Sequence, residues 1–195
     1  MAIYTSLLAQ IYEHIQLTPK EQEEFLSVLT EKRIKRKKFL VSPETTVDYL
    51  YYVVQGCLKA YYLDEAGNKH IIQFAIEDWW ITDFDALFNN TPAQLYIEAI
   101  EDCVLLGLHI KVREELYLHI PKFERFFRIL HTNAFVALRR RIISSLQKNN
   151  RERYVEFCQQ YPNIEKRVTN YHIANYLGIQ PETLSRIRKE MHTSI

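Results

Sequence analysis

Two side chains near the carboxyl end carry the clearest chemistry in the sequence: Glu182 and Arg186, four residues apart and therefore neighbours on one face if the segment is helical. A carboxylate can accept from a cytosine amine, and a guanidinium can donate twice to guanine O6 and N7. Thr183, Ser185, Arg188 and Lys189 share the same stretch and suit contacts to phosphate, as does Thr169 just upstream. The alternative for this row is a solvated helix face steadied by a Glu–Arg pair.

The residues before it supply the frame that such a row needs. Thr169 is placed to cap a helix whose inner side carries Ile173, Ala174 and Leu177. Gly178 can take the left-handed conformation that ends that helix. Ile179 plugs the corner, Gln180-Pro181 opens a second helix, and Leu184 and Ile187 face the first. Small and apolar residues in this order fit two helices crossing steeply, a helix-turn-helix.

Charge distribution points the same way. The chain of 195 residues is +1 overall, but residues 1–138 carry a net −5 and residues 139–195 a net +6. A basic tail on an acidic body suits a polyanionic partner, here double-stranded DNA. The other basic run, Lys32-Arg33-Ile34-Lys35-Arg36-Lys37-Lys38, is better read as edge-strand charge that discourages sheet-to-sheet pairing.

The composition, 47% hydrophobic and 25% charged, is that of a globular chain with a real core. No run approaches the ~18 apolar residues of a membrane span, and no secretory signal is visible at the start, so a cytoplasmic protein without a membrane is expected. Cys57, Cys103 and Cys158 have neither disulfide nor C-x-x-C spacing and read as interior residues. His70 and His109 are isolated, so neither a metal nor any other cofactor is expected, and a metal-dependent jelly-roll enzyme is disfavoured.

Patterning gives an α+β architecture in three parts. Residues 1–120 read as two N-terminal helices, the second capped by Thr18 and Glu21 and running to about Thr30, followed by a β jelly-roll. Its strands are expected at 34–41, 49–54, 58–63, 70–76, 95–100 and 104–109, with turn residues between them. Residues 121–149 read as one long helix. Phe123, Phe127, Leu130, Ala134 and Ala137 are spaced as a coiled-coil seam, which predicts a homodimer; Phe126, Leu138, Ile142 and Leu146 would then face the domain body. Residues 150–195 hold one further helix, stopping at Tyr161-Pro162, and the helix-turn-helix, with little or no wing in residues 191–195.

At this point the chain resembles the Crp/Fnr transcription regulators. The motif Ala174-x-x-x-Gly178-Ile179-x-x-Glu182-Thr183-Leu184-Ser185-Arg186 is similar to their DNA-binding segment, and Tyr51-Tyr52-Val53-Val54-Gln55-Gly56-Cys57-Leu58-Lys59 to a signature of their cyclic-nucleotide-binding-type barrel. The resemblance implies a sequence-specific dimeric regulator on a near-palindromic operator, with Glu182 and Arg186 reading bases and RNA polymerase as a further partner. A third base-reading arginine of some members falls on Pro181 here.

Two regions depart from the members that bind cyclic AMP. Where those carry Gly-Glu and then Arg-Ser or Arg-Thr, this chain has Trp80-Ile81-Thr82-Asp83 and Pro92-Ala93-Gln94-Leu95. With no arginine to meet a phosphate, a cyclic nucleotide is not the expected effector. Trp79, Trp80, Asp83 and Phe84 mark an aromatic-rich effector pocket or a filled one, and the sequence names no effector. The N-terminal cysteine cluster of iron–sulfur members is missing as well. A sensor or protein-interaction module that has lost DNA binding is the alternative function.

Overall fold

The amino-terminal helices follow from local chemistry. A computed structural model describes residues 2–193, with side chains from Ile3 to Met191. A 3-10 turn (Ala2–Tyr4) leads into α1 (Thr5–Tyr12), which buries Leu7 and Ile11. Helix α2 (Pro19–Ser27) begins with the expected capping box: Glu21 N–H donates to Thr18 Oγ1, and Thr18 N–H donates to the Glu21 carboxylate at 2.7 Å.

Helix α2 stops three residues short of Thr30, because the segment from Leu29 pairs as a strand. The strands are β1 (Leu29–Ile34), β2 (Phe39–Val41), β3 (Tyr49–Gln55), β4 (Leu58–Leu63), β5 (Lys69–Ala75), β6 (Trp80–Ile81), β7 (Tyr96–Ala99) and β8 (Cys103–His109). They form two four-stranded sheets, β1-β8-β3-β6 and β2-β7-β4-β5. In the first, β8 is the centre of the register, with Leu108 opposite both Leu29 and Leu50. The strand expected at 34–41 is two strands, because the chain turns at Lys37, whose φ is +67°. Strand β1 is an edge, and Lys32 and Arg33 lie exposed on it.

Three helices were not anticipated: α3 (Phe84–Asn89), α4 (Ile110–His119) and α7 (Pro162–Arg167). The others are α5 (Lys122–Gln147), α6 (Asn150–Gln160), α8 (Asn170–Leu177) and α9 (Pro181–Thr193). Pro162 opens α7 at its first turn rather than ending structure, since no intrahelical N–H is needed there. The stretch read as a residual wing is still helix through Thr193; Ser194 and Ile195 lie outside the described residues.

The chain divides into two compact units. One comprises residues 1–60 and 75–134; the other comprises 61–74 and 135–195. The first has a continuous core in which Leu7, Phe25, Tyr52, Leu58, Ile97 and Leu106 are all fully buried. A salt bridge is buried in it too, Lys59 Nζ to a Glu98 carboxylate oxygen at 3.2 Å. The second packs Phe74, Tyr154, Phe157, Ile164, Ile173, Leu184 and Ile187.

Helix α5 overturns the expected seam. Phe123 and Phe127 are 0% and 1% exposed within the first unit, where Phe123 stacks on Phe25 at 4.5 Å and Phe127 meets Trp80 at 5.6 Å. Leu130 is packed against the same core and Ala137 is half-buried; Ala134 alone of the five is exposed. The face expected to turn inward is instead in water beyond Phe126: Leu138, Ile142 and Leu146 are 52%, 51% and 81% exposed, joined by Phe135. A helix with two apolar faces does not say by spacing which one is internal. Here the aromatic face wins, because its rings find partners on α2, α4 and β6.

Candidate nucleic-acid interface

The site is built from α8, a turn and α9. Val168 is extended, and Thr169 caps α8 by accepting from His172 N–H at 3.3 Å. Ile173 and Ala174 are fully buried, which lets the following helix approach closely. Gly178 ends α8 at φ +65°, and Ile179 N–H then donates to Ala174 C=O at 3.0 Å, satisfying a helix-end carbonyl. Ile179 is buried in the corner, while Leu184 and Ile187 hold α9 against the body of the unit.

With those two residues inside, the opposite face of α9 must be wet. Glu182, Ser185, Arg186 and Lys189 are exposed, and Thr183 is half-buried. Glu182 makes no hydrogen bond or ion pair among the described residues. The Arg186 side chain is 72% exposed; its ion partner is Glu190, Nε to oxygen at 4.0 Å, not Glu182. So long and exposed a pair contributes little and leaves the guanidinium available.

Arg188 is not available in that way. Its guanidinium donates to Asn170 Oδ1, lies 2.9 Å from Glu165 and sits over the Tyr154 ring at 5.9 Å. It is a fastener of α9 to α7 and α8, and this replaces the phosphate contact read from sequence. Two further arginines of the basic tail are used likewise. Arg153 donates to Leu177 C=O at the end of α8. Arg141 donates to the carbonyls of Ile71, Ile72 and Tyr176 and stacks on the Tyr176 ring at 3.9 Å. The side chain of Asn175 joins the same assembly, accepting from Ile71 N–H at 2.6 Å and donating to Lys69 C=O. Composition counts such cations as surface charge; only their partners reveal that they are structural.

The residues read as an effector pocket are mostly consumed. Trp80 is buried and donates through Nε1 to Gln10 at 2.9 Å. Asp83, 3% exposed, caps α3 at Ala86 N–H and accepts from Gln94 N–H at 2.9 Å and Leu95 N–H at 3.1 Å. Trp79 is half-buried, and Phe84 is exposed on α3. The two strand-end histidines also have structural partners: His70 bonds Asp64 at 2.9 Å, and His109 caps α4 by accepting from Lys111 N–H. Cys57 and Cys103 are buried, and burial pushes the Cys158 thiol up, away from thiolate chemistry. No described helix is long and apolar enough to cross a membrane.

Along the chain, then, a double-sheet barrel is followed by a long helix and a helix-turn-helix. Comparison with known proteins agrees. Residues 31–117 match the cyclic nucleotide-binding domain family. The chain is 22% identical over 192 residues to an anaerobic regulatory protein of Aggregatibacter actinomycetemcomitans, covering 92% of this chain and 74% of that one. Among solved structures it is similar to FixK2 from Bradyrhizobium japonicum, with a TM-score of 0.75, 20% identity and 86% of each chain covered. It is also similar in fold to CLP of Xanthomonas campestris, a c-di-GMP responsive global regulator, with a TM-score of 0.73, 12% identity and 91% and 93% of the chains covered. Over 92% of its length the chain is likewise similar, at 22% identity, to the fumarate and nitrate reduction regulatory protein of Vibrio cholerae, 76% of which is covered.

Proposed function

We propose that the protein binds double-stranded DNA in the cytoplasm as a homodimer, with α9 of each subunit in the major groove of a near-palindromic operator. The observation that carries this is the division of α9 into two faces: Leu184 and Ile187 inside, Glu182 and Arg186 outside and unspent. Arg186 reads a guanine and Glu182 the amine of a cytosine. Thr169, Thr183, Ser185 and Lys189 meet phosphates and fix the register. Arg188 holds α9 in place and does not touch DNA.

Two such helices read successive turns of the duplex, about 34 Å apart, only if subunits pair with matching symmetry. The dimer forms along the outer face of α5, through Phe135, Leu138, Ile142 and Leu146, which are too apolar to be left in water along one helix. Ala134 borders this face. Cyclic AMP is not the effector, because Asp83 already accepts three backbone N–H groups and the segment Pro92-Ala93-Gln94-Leu95 holds no arginine for a phosphate. The role is regulatory rather than catalytic.

Selection of bound duplexes from a random pool by the purified protein tests the reading. An enriched inverted repeat, bound more weakly as salt rises, is expected from release of counterions. A pool with no enriched motif at low ionic strength would refute it.

A further inference from the structure

We propose that a cleft among α3, α4 and α5 binds a small organic monocarboxylate with an aromatic or branched apolar body. The cleft has a volume of about 490 Å³, and its walls include Phe88 from α3, Arg113 and Tyr117 from α4, and Phe127, Arg128 and His131 from α5. All of these residues belong to the first unit. That volume is in the range of small-molecule sites.

Arg113 is the reason to expect a ligand. It is 5% exposed and cannot shed its proton, so every donor it leaves unmade is costly. Its Nε and Nη2 both donate to one Glu114 oxygen, at 3.3 and 2.7 Å, but the buried Nη1 has no partner among the described residues. The guanidinium is held over Phe88 at 4.7 Å, Tyr117 at 5.4 Å and Phe127 at 5.7 Å, so it cannot swing out to find one without losing those rings. A core position holding an arginine with a third of its fork unused is a preformed carboxylate donor.

Two independent features complete the site. His131 Nε2 is also buried and without a partner among the described residues, and burial together with the Arg113 charge holds the ring below its ordinary range. A neutral imidazole can add one N–H donor without adding charge. Phe84 and Phe88 stack on each other and are 37% and 46% exposed, forming an apolar wall against water. A carboxylate on Arg113 Nη1 and His131 Nε2 would lay its body against Phe88. Glu114 and Glu124 at the margin repel a second negative charge, which selects a monoanion over a phosphate ester.

Calorimetric titration of the full chain, without DNA, tests this with phenylacetate, phenylacetamide, acetate and phenyl phosphate as probes. Saturable binding of phenylacetate at one site per chain is expected, with each other probe weaker by about tenfold or more. Phe88→Ala and Arg113→Gln should each lower phenylacetate affinity by about tenfold or more, and the His131 ring resonances should shift on binding. Phe88 is exposed, so its variant keeps the fold should the Arg113 variant lose it. No saturable binding up to about 10 mM would overturn the proposal. So would equal affinity for phenylacetamide, or a Phe88→Ala variant that changes self-association but not phenylacetate binding. Because DNA is absent from the titration, its failure leaves the DNA-binding reading untouched.

Discussion

Two arginines only two residues apart on α9, and so on different faces of it, should separate function from stability. Arg186→Ala removes a side chain that is 72% exposed and paired only at 4.0 Å, so folding stability should change by no more than about 0.5 kcal/mol. If that guanidinium reads a guanine, its loss costs about 1–3 kcal/mol at one base pair, a factor of about 5–150 in affinity for the preferred operator. Single-base variants at that position should become nearly equivalent to the preferred sequence. Arg188→Ala should behave in the opposite sense. It leaves Glu165, whose side chain is 19% exposed, without its 2.9 Å partner and frees Asn170, a loss of about 1–3 kcal/mol in stability. At about 2–4 °C per kcal/mol, that is a readily measured fall in Tm. Fluorescence anisotropy with the selected duplex and its single-base variants gives the first quantity, and thermal unfolding gives the second. Equal stability losses in the two variants, or unchanged base discrimination in Arg186→Ala, would refute the division of α9 into a reading face and a fastening face.

Three other outcomes are expected. Ile142→Glu, at a site 51% exposed, should leave the subunit folded but weaken dimerisation at least about tenfold in sedimentation equilibrium. Unchanged association would place the dimer elsewhere. Gly178→Ala should cost about 1–2 kcal/mol from the left-handed backbone alone, because a Cβ there meets nothing within 4 Å; a stability unchanged in thermal unfolding would contradict that conformation. Asp64 is held down to about 2, first by the His70 bond and then by Asn68. Its contribution is therefore complete above its ordinary value of 3.8 and is lost as the pH falls toward about 2, a window that an NMR titration of the carboxyl resonance would check.

What could be read from the sequence was whatever nearby residues decide among themselves. The Thr18–Glu21 box, the Thr169 cap, the Gly178 turn and the inward Leu184 and Ile187 each depend on spacing within one or two turns. Features that depend on a distant partner were hidden. Residues 29 and 30 look like the end of a helix until β8 is available to pair with them. Spacing revealed two apolar faces on α5 but not that Phe25 and Trp80 would claim the aromatic one. The charge count marks a basic tail, yet Arg141, Arg153 and Arg188 proved to be spent on carbonyls, amides and a carboxylate. Arg113 gave no signal at all, since a lone arginine in a helix is ordinary until its burial is known.

The amide of Ile71 is bonded by a side chain more than a hundred residues away, Asn175 of α8. Its proton is therefore a built-in clock. Exchange with solvent at that one position requires the Asn175 side chain to let go of the β4–β5 hairpin, so its rate measures how often this tie to α8 opens. One resonance would thus report how firmly α8 is held, with no label attached to the exposed face of α9.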